Sequence, residues 1–203
     1  MSITRKIIAC IMMIAILGVA VGCGGKTLKW TSPPAMSINA NHLYTATIKT
    51  NYGDIVIELL PKESPLTVNN FVFLSRQGFY DGVKFHRVVK GFVIQTGDPT
   101  GTGRGGPGYK FNDELPVQRE YGPGIVAMAN SGSNTNGSQF FICTGSKSKQ
   151  LNYMPNYNIF GQVTGGMDIV LKIDAVPVTG SEPSSPTVDV HIDKVVIEEK
   201  VAQ

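Results

Sequence analysis

Polar and apolar positions alternate in 44–50 and again in 55–60, and Asn51-Tyr52-Gly53-Asp54 between them has turn chemistry, which together predicts a β-hairpin. The period then changes. Ser64 suits an N-cap, Pro65 the first helical position and Gly78 the stop, while Val68, Phe71, Val72 and Leu74 or Ser75 recur at helical spacing. These side chains form one apolar face and are assigned to the core. Short β-branched runs follow within 85–96. Strands are then expected at 124–129, 138–144 and 158–163, a second helix at 165–173 with Met167, Ile169, Val170 and Ile173 as its apolar residues, and a last strand at 188–198. Eight short strands and two helices at hairpin-like spacing predict a mainly β fold, a closed eight-stranded antiparallel β-barrel capped by two α-helices.

Composition limits what such a barrel can do. The 203 residues suffice for one domain with a sizeable core, and 23 glycines and 12 prolines suit many turns. The net charge is only +3, and no cluster of lysine or arginine lies in the domain to neutralise a row of phosphates, so nucleic acid is excluded as a partner. Arg5 and Lys6 precede a long uncharged apolar run, the pattern of an export signal over 1–22. The run ends in Ala20-Val21-Gly22-Cys23, which resembles the lipobox of bacterial lipoproteins, so Cys23 is the expected lipidation site. An uncleaved membrane span is the rival reading. Either way the domain, 43–200, is expected outside the cytoplasm, joined to the membrane by a tether over 23–42 that contains Ser32-Pro33-Pro34. Cys143 is then the one cysteine of the domain, so no intramolecular disulfide is available, and its neighbours Phe140, Phe141 and Ile142 suggest a buried small hydrophobe.

Candidate chemistry gathers in 85–98, where two apolar runs each carry one polar residue, Arg87 and Gln95. A guanidinium needs partners wherever it is partly buried, so Arg87 is either an edge-strand ion-pair residue or a group facing a pocket. Gly101 to Gly106 match G-x-G-x-x-G, but Pro107-Gly108-Tyr109 starts no helix and no Gly-Lys-Ser or Gly-Lys-Thr follows. Dinucleotide and P-loop readings therefore fail, leaving a surface loop. A second polar loop, 130–137, is very rich in turn formers. His86 has no nucleophile or second histidine nearby in sequence and reads as a satisfied structural histidine; His42 and His191 lack metal-ligand spacing, so no metal is expected.

Phe85-His86-Arg87, the run from Gly91 to Asp98, Met128-Ala129-Asn130, and the run from Asn134 to Ile142 resemble, in order, the signature segments of the cyclophilin family of peptidyl-prolyl cis-trans isomerases. The likeness spans about 44–198. It implies a barrel with a helix at each end, no cofactor, and rotation of X-Pro bonds in exported, unfolded or partly folded polypeptides by a likeness-assigned set of catalytic residues, Arg87, Phe92, Gln95 and Asn130. Val93, Ala129, Ser131, Gln139, Phe141, Leu151 and Tyr157 would bind substrate. Of the two adjacent phenylalanines only one can face the pocket, because successive strand residues point to opposite faces, and Phe140 is assigned to the core. Gln150 stands where many cyclophilins carry tryptophan, which argues against strong cyclosporin binding, and Tyr157 stands where histidine is common. A proline-binding module or chaperone without turnover, on the same fold, is the alternative. The domain is expected to act as a monomer.

Overall fold

The computed structural model describes residues 28–180 and 184–201; the expected signal and the lipidation cysteine Cys23 lie outside them. No helix among the described residues is long and apolar enough to cross a membrane.

The hairpin forms from β1 (Leu43–Thr50) and β2 (Gly53–Leu59) in the register Tyr44↔Leu59 to Thr50↔Gly53. Tyr44, Ala46, Ile48, Ile55, Ile57 and Leu59 point inward and are buried, as the alternation requires. Helix α1 (Pro65–Arg76) follows with Pro65 in its first turn. Ser64 occupies the N-cap position but its hydroxyl donates to the Ile159 carbonyl at 2.6 Å instead of capping. The open N–H groups of Leu66 and Thr67 donate to the Glu114 carboxylate at 2.8 and 2.9 Å, which puts a negative charge on the positive end of the helix.

The remaining strands are β3 (Arg87–Val89), β4 (Val93–Thr96), β5 (Ile125–Met128), β6 (Phe140–Cys143), β7 (Ile159–Gly165) and β8 (Ile192–Lys200), with a 3₁₀ segment at Ser146–Tyr153 and helix α2 at Met167–Asp174. They form one curled antiparallel sheet in the order β3-β4-β6-β5-β7-β2-β1-β8. The ladder is open between its ends, so the expected closed barrel is replaced by an open half-barrel. β3 has only three residues, and its free edge is covered by Ser184, whose carbonyl accepts from Val88 N–H at 2.8 Å and whose hydroxyl donates to the Val88 carbonyl at 2.6 Å. Contact across the gap is left to the segment before β3, through bonds such as Phe85 N–H to the Val190 carbonyl at 2.9 Å and the single bridge Lys84↔His191. This pairing also moves the start of the last strand from 188 to Ile192.

Two apolar clusters share the sheet. The larger fills the concave side and includes Phe71, Tyr80, Phe140 and Phe160, whose rings meet at 5.1–6.2 Å. The smaller lies on the opposite face of β4 to β7 and contains Val93, Tyr121, Ile125, Ala127, Phe141, Cys143 and Ile159. Cys143 is fully buried there, and burial pushes its thiol up to about 12, so it is an inert hydrophobe.

The segment ahead of β1 does not extend away from the domain. Ile38 joins the core, Asn69 holds the Ser37 N–H at 2.8 Å and donates to the Ala35 carbonyl at 3.1 Å, and the Trp30 indole packs on Phe73 and Phe79 at 5.1 and 6.0 Å. What composition suggests as free tether is, within the described residues, seated on α1.

Candidate active site

The short hairpin β3–β4 sets the site. Its register pairs Arg87 with Gln95 and Val88 with Ile94, so Val88 and Ile94 enter the core while Arg87 and Gln95 emerge side by side on the outer face. Arg87 Nη1 donates to Gln95 Oε1 at 3.3 Å, Gln95 Nε2 donates to Gln139 Oε1 at 3.1 Å, and Gln139 Nε2 donates to the Gly105 carbonyl at 2.9 Å. The guanidinium thus stands at one end of a row of side chains whose other end is backbone.

Beside this row lies the smaller apolar cluster. Gln95 is paired with Phe141 across β4 and β6, and Val93 with Cys143. Phe92, Ala129, Leu151 and Tyr157 are half-buried and packed against the cluster, and the rings of Phe141 and Tyr157 meet edge to face at 5.4 Å. Phe140 points to the other side, fully buried. On the far side of Gln95, Ala129, Asn130, Ser131 and Gln139 line a cavity of about 680 Å³. Asn130 Nδ2 donates to the Asn156 carbonyl at 2.8 Å, which ties this loop to the wall carrying Tyr157. The structure therefore brings every site residue expected within the described chain to one outer face, in two adjoining parts with Gln95 between them.

Several residues that hold this face have no local signal in the sequence. The Tyr121 hydroxyl donates to the Tyr157 carbonyl at 2.6 Å and accepts from Tyr157 N–H at 3.1 Å, while Tyr121 N–H and carbonyl are both bonded by the Asn152 amide. Burial pushes that phenol up to about 12, so it stays a donor. Asp174, at the end of α2, receives the Gly91 N–H and the Thr144 hydroxyl, and so fixes the turn that presents Phe92. Asp98, 1% exposed, accepts from Thr100, Thr102 and Gly105 and folds the glycine-rich loop around itself. Burial alone would raise its carboxyl, but the Gly105 N–H and the Thr100 hydroxyl and N–H outweigh it and hold the group below its usual value. At Gly105 any Cβ would fall on that carboxylate. His86 is half-buried with the Gln139 side chain and the Lys84 backbone beside its ring, though neither nitrogen meets them at full hydrogen-bonding geometry; burial lowers its pKa, and Asp98, Gln139 and Lys84 oppose the shift. Among the described residues no group of three His, Cys, Asp or Glu is placed to hold a metal.

The arrangement offers a cationic donor beside an apolar recess. A family model described as cyclophilin type peptidyl-prolyl cis-trans isomerase matches residues 45–197. The chain is 46% identical over 171 residues to the probable peptidyl-prolyl cis-trans isomerase A of Mycobacterium leprae, covering 75% of this chain and 91% of that protein. It is also 46% identical over 177 residues to peptidyl-prolyl cis-trans isomerase B of Streptomyces anulatus, covering 78% and 98%. A solved structure of a Cryptosporidium parvum cyclophilin type isomerase, determined in the presence of the dipeptide Ala-Pro, superposes with a TM-score of 0.69 at 39% identity, over 76% of this chain and 98% of that one.

Proposed function

The chain belongs to the cyclophilin type peptidyl-prolyl cis-trans isomerase family, and on that premise we propose how its outer face speeds rotation about X-Pro bonds. The enzyme acts on proline-containing polypeptides, and the barrier it lowers, roughly 18–20 kcal/mol, belongs to the twisting of an amide. Twisting breaks resonance and leaves a lone pair on the prolyl nitrogen. A donor aimed at that nitrogen binds the twisted amide better than either planar isomer, which is the condition for catalysis.

Arg87 supplies that donor in our reading. The observation that carries it is the 3.3 Å bond to Gln95, which holds the guanidinium at the rim of the recess formed by Phe92, Phe141, Leu151 and Tyr157. The proline ring occupies the recess together with Val93; Gln95, Asn130 and the strand edge near Ala129 and Gln139 hold the peptide backbone, and Ser131 flanks the groove. An acceleration of about 10⁴-fold requires about 5.5 kcal/mol of differential binding, within reach of a charge-assisted bond with good positioning. No proton is transferred. The test is isomerisation of a proline peptide by the full-length chain and by Arg87→Ala. A drop of about 10²-fold, or ~2.7 kcal/mol, without loss of folding is expected. Turnover unchanged in Arg87→Ala would remove Arg87 from this role.

The setting we propose is extracytoplasmic. Residues 1–22 act as an export signal, Cys23 becomes lipid-modified, and the domain, 43–200, works as a membrane-held monomer that assists folding of exported chains. What supports this is the Arg5-Lys6 start, the apolar run and Ala20-Val21-Gly22-Cys23. Labelling with a fatty-acid analogue should mark the intact chain and not Cys23→Ala; an unlabelled intact chain would overturn the anchor.

A further inference from the structure

The family model begins at residue 45, yet the wall of the groove draws on a residue well before it. Lys29 lines the same 680 Å³ cavity as Gln95, Ala129 and Gln139. It is held there on two sides. Trp30 N–H donates to the Pro107 carbonyl at 2.8 Å, while the indole is packed on Phe73 and Phe79. Gly108 (φ +98) lies directly under the Trp30 carbonyl, which leaves no room for a Cβ, so the glycine-rich loop and the N-terminal segment interlock.

The charge of this cavity is one-sided. Arg104 and Lys110 line it with Lys29, and no aspartate or glutamate is among its lining residues. None of the three cations is in an ion pair among the described residues. The nearby carboxylate of Asp98 is turned to the backbone N–H groups and hydroxyls of its own loop. Three exposed cations around a concave surface concentrate the field there and favour an anionic guest.

We propose that this cavity selects clients carrying an acidic side chain within a few residues of the proline, and that Lys29 of the N-terminal segment is one of the selecting residues. The inference rests on the isomerase reading, since the cavity meets the proline recess at Gln95. Recognition is by charge: a carboxylate extended from the bound peptide enters among Lys29, Arg104 and Lys110 while the proline sits against Phe141.

The test is kcat/KM of the full-length protein on peptides identical except for Glu, Gln or Lys at each of the three positions on either side of proline. At one or more positions the Glu peptide is expected to exceed the Gln peptide by about threefold to tenfold at low salt, with the Lys peptide below both. The gap should close toward about 0.5 M salt, where screening is short-ranged. Lys29→Gln should lower the Glu-to-Gln ratio, and Lys29→Glu combined with Arg104→Glu and Lys110→Glu should invert it. Equal rates on Glu, Gln and Lys peptides at every position would overturn the selection while leaving the isomerase standing. A ratio unmoved by charge reversal would place its source elsewhere and also overturn it. Turnover of none of the peptides would remove the isomerase reading, and this inference with it.

Discussion

Strands β4 to β7 carry apolar side chains on both faces, and the two faces are bordered differently. Toward the concave side they present Ile94, Val126, Met128, Phe140, Ile142 and Phe160, all fully buried in the larger apolar cluster. Toward the convex side the same strands present Val93, Ile125, Phe141 and Ile159, bordered by half-exposed Phe92, Leu151 and Tyr157 and by the polar row from Arg87 to Gln139. One face is sealed and the other is left one layer short of sealed. A sheet face whose apolar residues are buried but whose bordering side chains, Phe92, Leu151 and Tyr157, stay partly exposed offers a proline ring a supported apolar surface without reorganising.

The sharpest contrast is between the neighbours Phe140 and Phe141. Phe140→Ala should cost about 3–5 kcal/mol of stability, since its ring is fully enclosed by three others, as measured by chemical denaturation. Phe141→Ala should cost less stability but lower kcat/KM by about 10²-fold, or ~2.7 kcal/mol of transition-state binding. If the two variants lose stability equally and activity equally, the division between the faces fails.

Asp98 tests whether the polar row depends on what lies behind it. Asp98→Asn should lose about 2 kcal/mol through its charged hydrogen bonds to the glycine-rich loop. Because folding depresses this carboxyl, its contribution is complete above its ordinary value of 3.8 and is lost as pH falls through the lower folded value. Denaturation of wild type and Asp98→Asn over a pH series should therefore converge only in acid. The smallest expected effect is Tyr121→Phe, about 1 kcal/mol from the lost hydroxyl bridge to Tyr157, with KM rising more than kcat falls. An unchanged KM would show that the wall holding Leu151 and Tyr157 does not need its clamp.

Much of this was readable locally. The β1–β2 alternation, Pro65 opening α1, and the opposite facing of Phe140 and Phe141 follow from period and turn chemistry alone. Arg87 and Gln95 stood out because each interrupts an apolar run. What stayed hidden is carried by distant partners. Glu114 caps α1 from nearly 50 residues away, with |i−j| of 48 to Leu66, and Ser184 takes the edge of β3 from |i−j| of 96. Tyr121 looks like any loop aromatic until Tyr157 is folded onto it. The Ser-Pro-Pro composition of the N-terminal segment pointed to a spacer because nothing local shows that Trp30 has a seat between Phe73 and Phe79.

That seat gives the molecule an optical property. Trp30 is the only tryptophan in the chain, and its indole is packed on Phe73 of α1 and on Phe79, while its backbone N–H donates to the Pro107 carbonyl of the groove's glycine-rich loop. Its emission therefore reports one event, the seating of the segment that carries Lys29, while ellipticity reports the sheet. A red shift that precedes the loss of ellipticity on gentle denaturation would reveal an intermediate with an intact sheet and an undocked N-terminal segment. Coincident signals would show that the segment and the half-barrel melt as one cooperative body.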